Sequence, residues 1–291
     1  MSREAVVWVI VSGILNGGIY ALAAMGLSMQ YGVARVLNLS HGEFIMFAAW
    51  LTFTFFTGFQ INPLLSIAII APGFLLIGFL IHRTLFTTLR KRAPSPAAFE
   101  ANSLLVAFGL MFIVQNIALL IWRGMPRGYT WLTRGVEILG VSFSLSRLIA
   151  LGVAVALAVV FYVFVTRSRV GKAIRAAAQD PATAGLMGIN INRVLPLCFG
   201  LGALLAGIAG VLVSMFSSLS TSMGMGYTVI ALIVVALGGL GSIPGSFIGG
   251  FILGLIGSLV GQFQSSLIMV AFYALLMILL LARPRGLLGK A

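Results

Sequence analysis

The sequence predicts an all-α fold, a polytopic transmembrane helix bundle of about eight or nine membrane segments, some of them broken or re-entrant. Three observations predict it. Of the 291 residues 60% are hydrophobic and only 8% are charged, where an average soluble chain has about 25% charged residues. The apolar residues fall in runs of roughly 20, the length that crosses about 30 Å of hydrocarbon. The basic residues fall in short clusters between those runs, as the positive-inside rule requires. A single transmembrane domain over residues 1–291 accounts for the whole pattern.

The same features exclude several function classes. The net charge of +13 would suit a nucleic-acid partner, but the charges are dispersed between spans and lack aromatic-plus-basic repeats. The expected surrounding is membrane lipid, with no nucleic acid. Cys198 is the only cysteine, so no intrachain disulfide forms, and with two histidines a metal centre is not expected. There is no G-x-x-x-x-G-K-[ST] phosphate loop. No set of nucleophile, base and metal converges. The expectation is a transport subunit rather than an enzyme, without cofactor. Arg3 and Glu4 lead straight into a long apolar span, which is not the pattern of a cleavable leader.

The first span runs from about Ala5 to Gln30. Gly13 and Gly17 are four apart and let another helix come close. Asn16 and Tyr20 share a face and are candidates for a polar translocation path, interhelical hydrogen bonding being the alternative. Next, Ser40 and Glu43 form an S-x-x-E capping box, with Leu39 and Phe44 as its hydrophobic staple. The second span therefore starts at His41. His41 and Glu43 are two apart and do not face each other on a helix, which removes a hydrolytic reading. Asn38 and His41 join the path candidates.

Pro63 opens the third span, which runs to about Ile81, and Pro72-Gly73 is expected to kink or interrupt it. His82 to Arg92 reads as a basic loop. The fourth span, about Asn102 to Trp122, contains Gln115 and Asn116, which call for interior partners and are further path candidates. VEILGVSFS, within the polar stretch 124–146, has β-like alternation and is expected to form either a small hairpin or a flat segment on the membrane surface. The fifth span is about Arg147 to Val165 and the sixth about Leu197 to Phe216. Tyr227 to Leu237 is too short to cross unaided. Gly241, Gly245 and Gly249, four apart, signal tight helix packing or broken helices. The last span is about Ser266 to Leu281, before a basic tail.

Between the fifth and sixth spans lies a polar island, Thr166 to Pro196, with its core at 167–195. VGKAIRAAAQ is rich in helix formers. Asp180 followed by Pro181 reads as an N-cap with proline at the first helical position. Gly188 can end the short helix so begun. Placing the island in the cytoplasm puts the twelve basic residues of three clusters inside against four in the one long outer loop, and counting back from there Arg35 lies inside and the N-terminus outside. Either the island is an ordinary basic loop, or its small face, including Ala177 and Ala178, seats in a groove on a soluble partner.

AAAQDPATAGLMGINI with Leu195-Pro196, GIYALAAMGLSMQYGV, NLSHGEF and LGGLGSIPGSFIGG cover nearly the whole chain between them. Together they resemble permease subunits of ABC importers, in the form of the high-affinity branched-chain amino acid permeases. The glutamate that leads the EAA-type loop motif of such importers is alanine here. The resemblance implies a path for branched-chain or related amino acids. It implies a cytoplasmic ATP-binding subunit docked through Arg175, Ala177, Ala178, Asp180, Pro181 and Gly188. A second homologous permease subunit, an extracytoplasmic substrate-binding protein and a bacterial inner membrane complete it. The rival reading is an ion-gradient-driven secondary transporter of a small polar solute. It needs an ionisable group in mid-membrane, whereas Glu43 reads as lying at a helix start.

Overall fold

A computed structural model describes residues 2–283 and 286–288. The helices are α1 (Arg3–Ala34), α2 (His41–Phe59), α3 (Pro63–Ile81), α4 (Thr87–Arg92), α5 (Pro96–Trp122) and α6 (Leu145–Arg167), followed by α7 (Arg169–Gln179), α8 (Pro181–Leu186), α9 (Ile191–Ser214), α10 (Met223–Gly238), α11 (Ile243–Phe263) and α12 (Ile268–Ala282). Among the described residues eight helical segments are long and apolar enough to span a membrane, with Met223–Gly238 a ninth, shorter one. The all-α bundle is thus confirmed. Arg285 and Lys290 of the basic tail lie outside the described residues.

α1 and α9 form the centre. α1 touches α6, α9, α10 and α11, and α9 touches α2 and α3 as well. Both are apolar all round; α9 is enclosed along most of its length, and α1 from Leu15 onward. Close approach comes from small residues. On α11, Gly245 and Gly249 face Gly238 and Val234 of α10, while Gly250 and Gly254 face Ala21 and Gly17 of α1. Gly241 is not helical but sits at a left-handed turn (φ 83°) against Gly32, where a Cβ on Gly32 would stand 2.7 Å from its Cα.

Two expectations need correction. Pro72 does not interrupt α3, and the expected basic loop is helix. The irregularity is one π-helical turn, His82–Phe86, which carries α3 on into α4. That turn presents both aromatic rings inward. The rings of His82 and Phe86 lie 5.7 and 5.2 Å from that of Phe199 on α9. Arg90 follows, donating from Nη2 to the Ala34 carbonyl oxygen at 2.7 Å and stacking 4.6 Å over Phe99.

The hairpin forms as expected: β1 (Gly135–Ile138) and β2 (Val141–Ser144) are antiparallel, with Ile138 opposite Val141. Leu139 and Gly140 both take positive φ in the tight turn, as a two-residue hairpin loop demands. Exchanged backbone bonds between Arg127 and Leu219 tie the loop before this hairpin to the α9–α10 connection. Tyr129 of that loop bonds Ser214 Oγ at 2.8 Å, and burial pushes its phenol up to about 12, so it stays protonated.

Cys198 is fully buried, while Thr130 and Met187 are exposed. In a Cys198→Ser background, a single cysteine at Thr130 should react with a membrane-impermeant thiol reagent on intact cells. One at Met187 should react only after permeabilisation. The reverse pattern would invert the orientation read from the charges.

Candidate functional site

The connection between α1 and α2 is not a surface loop. Arg35 turns left-handed (φ 53°) and is exposed, and Val36 is already fully buried. The chain turns straight back into the bundle. A Cβ on Gly26 would stand 3.0 Å from His41 Cε1 and 3.1 Å from Leu205 Cβ. α2 therefore begins against the interior of α1 and α9 and not level with their ends.

A turn at that depth exposes backbone groups that no water can reach, so side chains must pair with them or with each other. Asn38 Oδ1 accepts from Ser40 N at 3.1 Å and from Ser40 Oγ at 2.5 Å. Asn38 Nδ2 donates to Gln30 Oε1 at 3.0 Å, and Gln30 Nε2 donates to the Phe199 carbonyl oxygen at 3.1 Å. His41 Nε2 lies 2.9 Å from the Ala23 carbonyl oxygen, which only accepts, so this nitrogen carries a proton. Its Nδ1 is 3.3 Å from Gln30 Oε1, a contact that becomes a hydrogen bond only with a second proton. From α10, Thr228 Oγ1 donates to the Leu39 carbonyl oxygen at 3.0 Å and accepts from Gly42 N at 2.8 Å. One polar knot thus joins α1, α2, α9 and α10.

The capping box is absent, although α2 does start at His41. Ser40 is at φ −80°, ψ 4° and gives no side-chain cap bond. Its hydroxyl is taken by Asn38. Glu43 is fully buried, with both carboxylate oxygens unpartnered, and they lie against Gly224, the second residue of α10. Glu43 also sits in the first turn of its own helix. Two helix N-termini, each equivalent to about half a positive charge, therefore face this carboxylate. Glu43 does lie at a helix start, as expected, but that start is buried inside the bundle.

Of the six path candidates, Asn38 and His41 are in the knot. Tyr20 lies one turn before Ala23, half-buried with its ring edge-on to Phe272 at 6.4 Å, and Asn16 lies a turn further on. Gln115 and Asn116 do not join them. Asn116 is exposed and donates from Nδ2 to the Phe112 carbonyl oxygen of its own helix at 2.8 Å, so it needs no interior partner. Gln30 and Thr228 were missed. A lone amide in an apolar run was the available signal for Gln30, whereas Thr228 meets α2 across 186 residues of chain.

The polar island forms the two predicted helices, α7 and α8. Asp180 accepts from Ala182 N at 2.9 Å as an N-cap, and Gly188 takes φ 83° beyond the end of α8. Hydrogen bonds from the Thr183 hydroxyl and from the backbone hold the Asp180 carboxyl below its usual range. The cap is therefore present at neutral pH and is lost only as pH falls through that lowered pKa. The small face is not a free surface. Ala177 is 0% exposed and, with Ile174, packs α7 into the core, and Arg175 donates to the Val165 carbonyl oxygen at the end of α6. Ala177→Arg would break this packing instead of merely blocking a partner. The island's most exposed apolar side chains are Leu186 and Met187, 88% and 80% exposed.

The family model for the permease component of branched-chain amino acid transport systems matches residues 9–281. The high-affinity branched-chain amino acid transport permease BraD of Pseudomonas aeruginosa is 31% identical, over 97% of this chain and 95% of its own. The corresponding permease LivH of Escherichia coli K12 is 32% identical, over 96% and 94%. Among solved structures, PsaBC from Streptococcus pneumoniae in complex with Fab aligns over 95% of this chain and 92% of its own at 12% identity, with a TM-score of 0.49.

A Cβ on Gly42 would overlap the Gly224 carbonyl oxygen. Gly42→Ala should cost about 1–3 kcal/mol by overpacking. Glu43→Gln should cost about 1 kcal/mol, from lost attraction to the two helix ends. Thermal unfolding of the purified variants measures both. A working capping box would instead leave Glu43→Gln at wild-type stability, since glutamine serves equally well there.

Proposed function

Because this chain belongs to the permease component family of branched-chain amino acid transport systems, we propose that it forms the translocation path of an ABC importer for these or related amino acids. The carrying observation is the family match over nearly the whole chain. The chain has no phosphate loop of its own, so the energy comes from a separate ATP-binding subunit. The α7–α8 platform suits that contact. It is braced on α6 and α9, it lies between membrane spans, and it offers Leu186 and Met187 to a partner, where exposed apolar groups outside hydrocarbon point to an interface. Asp180, Pro181 and Gly188 shape its tip, Arg175 and Ala177 fix it from within, and Ala178 flanks the contact.

A second, homologous permease subunit and an extracytoplasmic substrate-binding protein complete the assembly, in the bacterial cytoplasmic membrane. The polar groups of Asn16, Tyr20, Asn38 and His41 mark the side of α1 and α2 from which the path is built. The family match sets aside the ion-coupled alternative, even though Glu43 lies inside the bundle.

Uptake of leucine, isoleucine or valine into vesicles should require ATP and the binding protein, and should persist when proton and sodium gradients are collapsed. Gradient-driven uptake by this chain alone would overturn the reading. Leu186→Asp with Met187→Asp should leave thermal stability unchanged, because both side chains are exposed. The same pair should lower ATPase co-purification and uptake at least tenfold. Wild-type uptake in the double variant would remove α8 from coupling.

A further inference from the structure

On the face that carries the 124–144 loop, a cleft of about 720 Å³ opens between the start of α1, β2, the start of α6 and the residues after α9. Its size falls within the range of about 300–1,000 Å³ typical of small-molecule sites. Its lining combines a cation and hydroxyls, from Arg147, Thr130 and Thr133, with apolar groups from Trp8, Met215 and Phe216. No acidic side chain lines it.

Arg147 is the informative residue. It is the third residue of α6, and a cation in a first turn opposes the helix dipole. Helix stability therefore does not explain its position. The guanidinium stacks 5.3 Å over the Phe216 ring. Among the described residues it has no hydrogen-bond or ion-pair partner, so its N–H donors remain free toward the cleft. A guanidinium fork matches a carboxylate bidentately, and its partial desolvation against an aromatic ring strengthens the pairing. Trp8 also heads a stripe at four-residue spacing down α1. In it come Ser12, whose buried hydroxyl has no partner, then Asn16 and Tyr20.

We propose that this cleft is an entry site on the permease itself, which takes the carboxylate end of an aliphatic amino acid on Arg147 and its apolar side chain on Trp8, Met215 and Phe216. The inference rests on the importer reading for the identity of the amino acid, but not for the carboxylate chemistry. A carboxylate could also be offered by an acidic side chain of the delivering protein. The amphiphilic lining favours the solute.

The test measures direct binding to the assembled permease in nanodiscs, without binding protein. The probes are 4-methylpentanoate, which is leucine without its ammonium, and 3-methylbutylamine, which is leucine without its carboxylate. The acid should bind and the amine should not. Arg147→Gln should weaken acid binding at least tenfold and Arg147→Lys less, while Arg134→Gln, outside the cleft, should leave it unchanged. Should Arg147→Gln fail to fold, the lysine variant and the wild-type preference for acid over amine still decide. Equal binding of acid and amine, no acid binding, or acid binding indifferent to position 147 would each overturn the site. So would an Arg147→Gln variant that loses only affinity for the binding protein. Leucine import by the wild type is measured in parallel. Import without acid binding retires the site alone, and acid binding without import retires the importer reading alone.

Discussion

A chain that turns back into the packed interior of a bundle must supply its own partners for every backbone group it buries, and this constraint governs the α1–α2 connection. The freed groups are met by Asn38 for the amide of Ser40, by Thr228 for Leu39 and Gly42, and by Arg90 for the Ala34 carbonyl. Each of these partners comes at the cost of burying another polar group, so Gln30 must in turn satisfy Asn38 and lean on Phe199 of α9. The re-entrant start of α2 cannot be separated from the positions of α1, α9 and α10. Partly satisfied buried networks destabilise, whereas fully connected ones specify a single arrangement.

Small residues make that knot geometrically possible. Gly42 and Gly224 let the N-termini of α2 and α10 meet with the Glu43 carboxylate between them. α11 uses successive glycine pairs to reach α10 and α1. In lipid, where apolar burial gives little drive to helix association, such close backbone contact is a main source of packing energy. The bundle is thereby rigid around its polar centre. At its periphery α5 and α12 present long apolar side chains outward.

Much of this was legible in the sequence, and the failures have a common physical origin. Local chemistry read correctly where it acts locally: Asp180 caps α8, Gly188 ends it, and VEILGVSFS folds on itself. The capping box at Ser40 and Glu43 satisfied the same local rules and still did not form. Asn38, two residues before it, takes the Ser40 hydroxyl, and the start of α10, more than 180 residues away in sequence, meets Glu43. Ala177 read as part of an open small face because periodicity shows which residues share a helix face, not which face the bundle covers. The basic residues 83–92 read as loop because charge outweighed helix propensity in that judgement, while the π turn turns His82 and Phe86 inward and leaves Arg83 outside.

Residues 36–44, a connection by sequence, are among the best-held backbone in the bundle. Hydrogen exchange of the protein in nanodiscs tests this most directly. Amides of Ser40 to Phe44 should exchange as slowly as those in the middle of α9, and Asn38→Ala should release the whole 36–44 segment at once. Exchange of this segment as fast as the 124–134 loop in the wild type would contradict it.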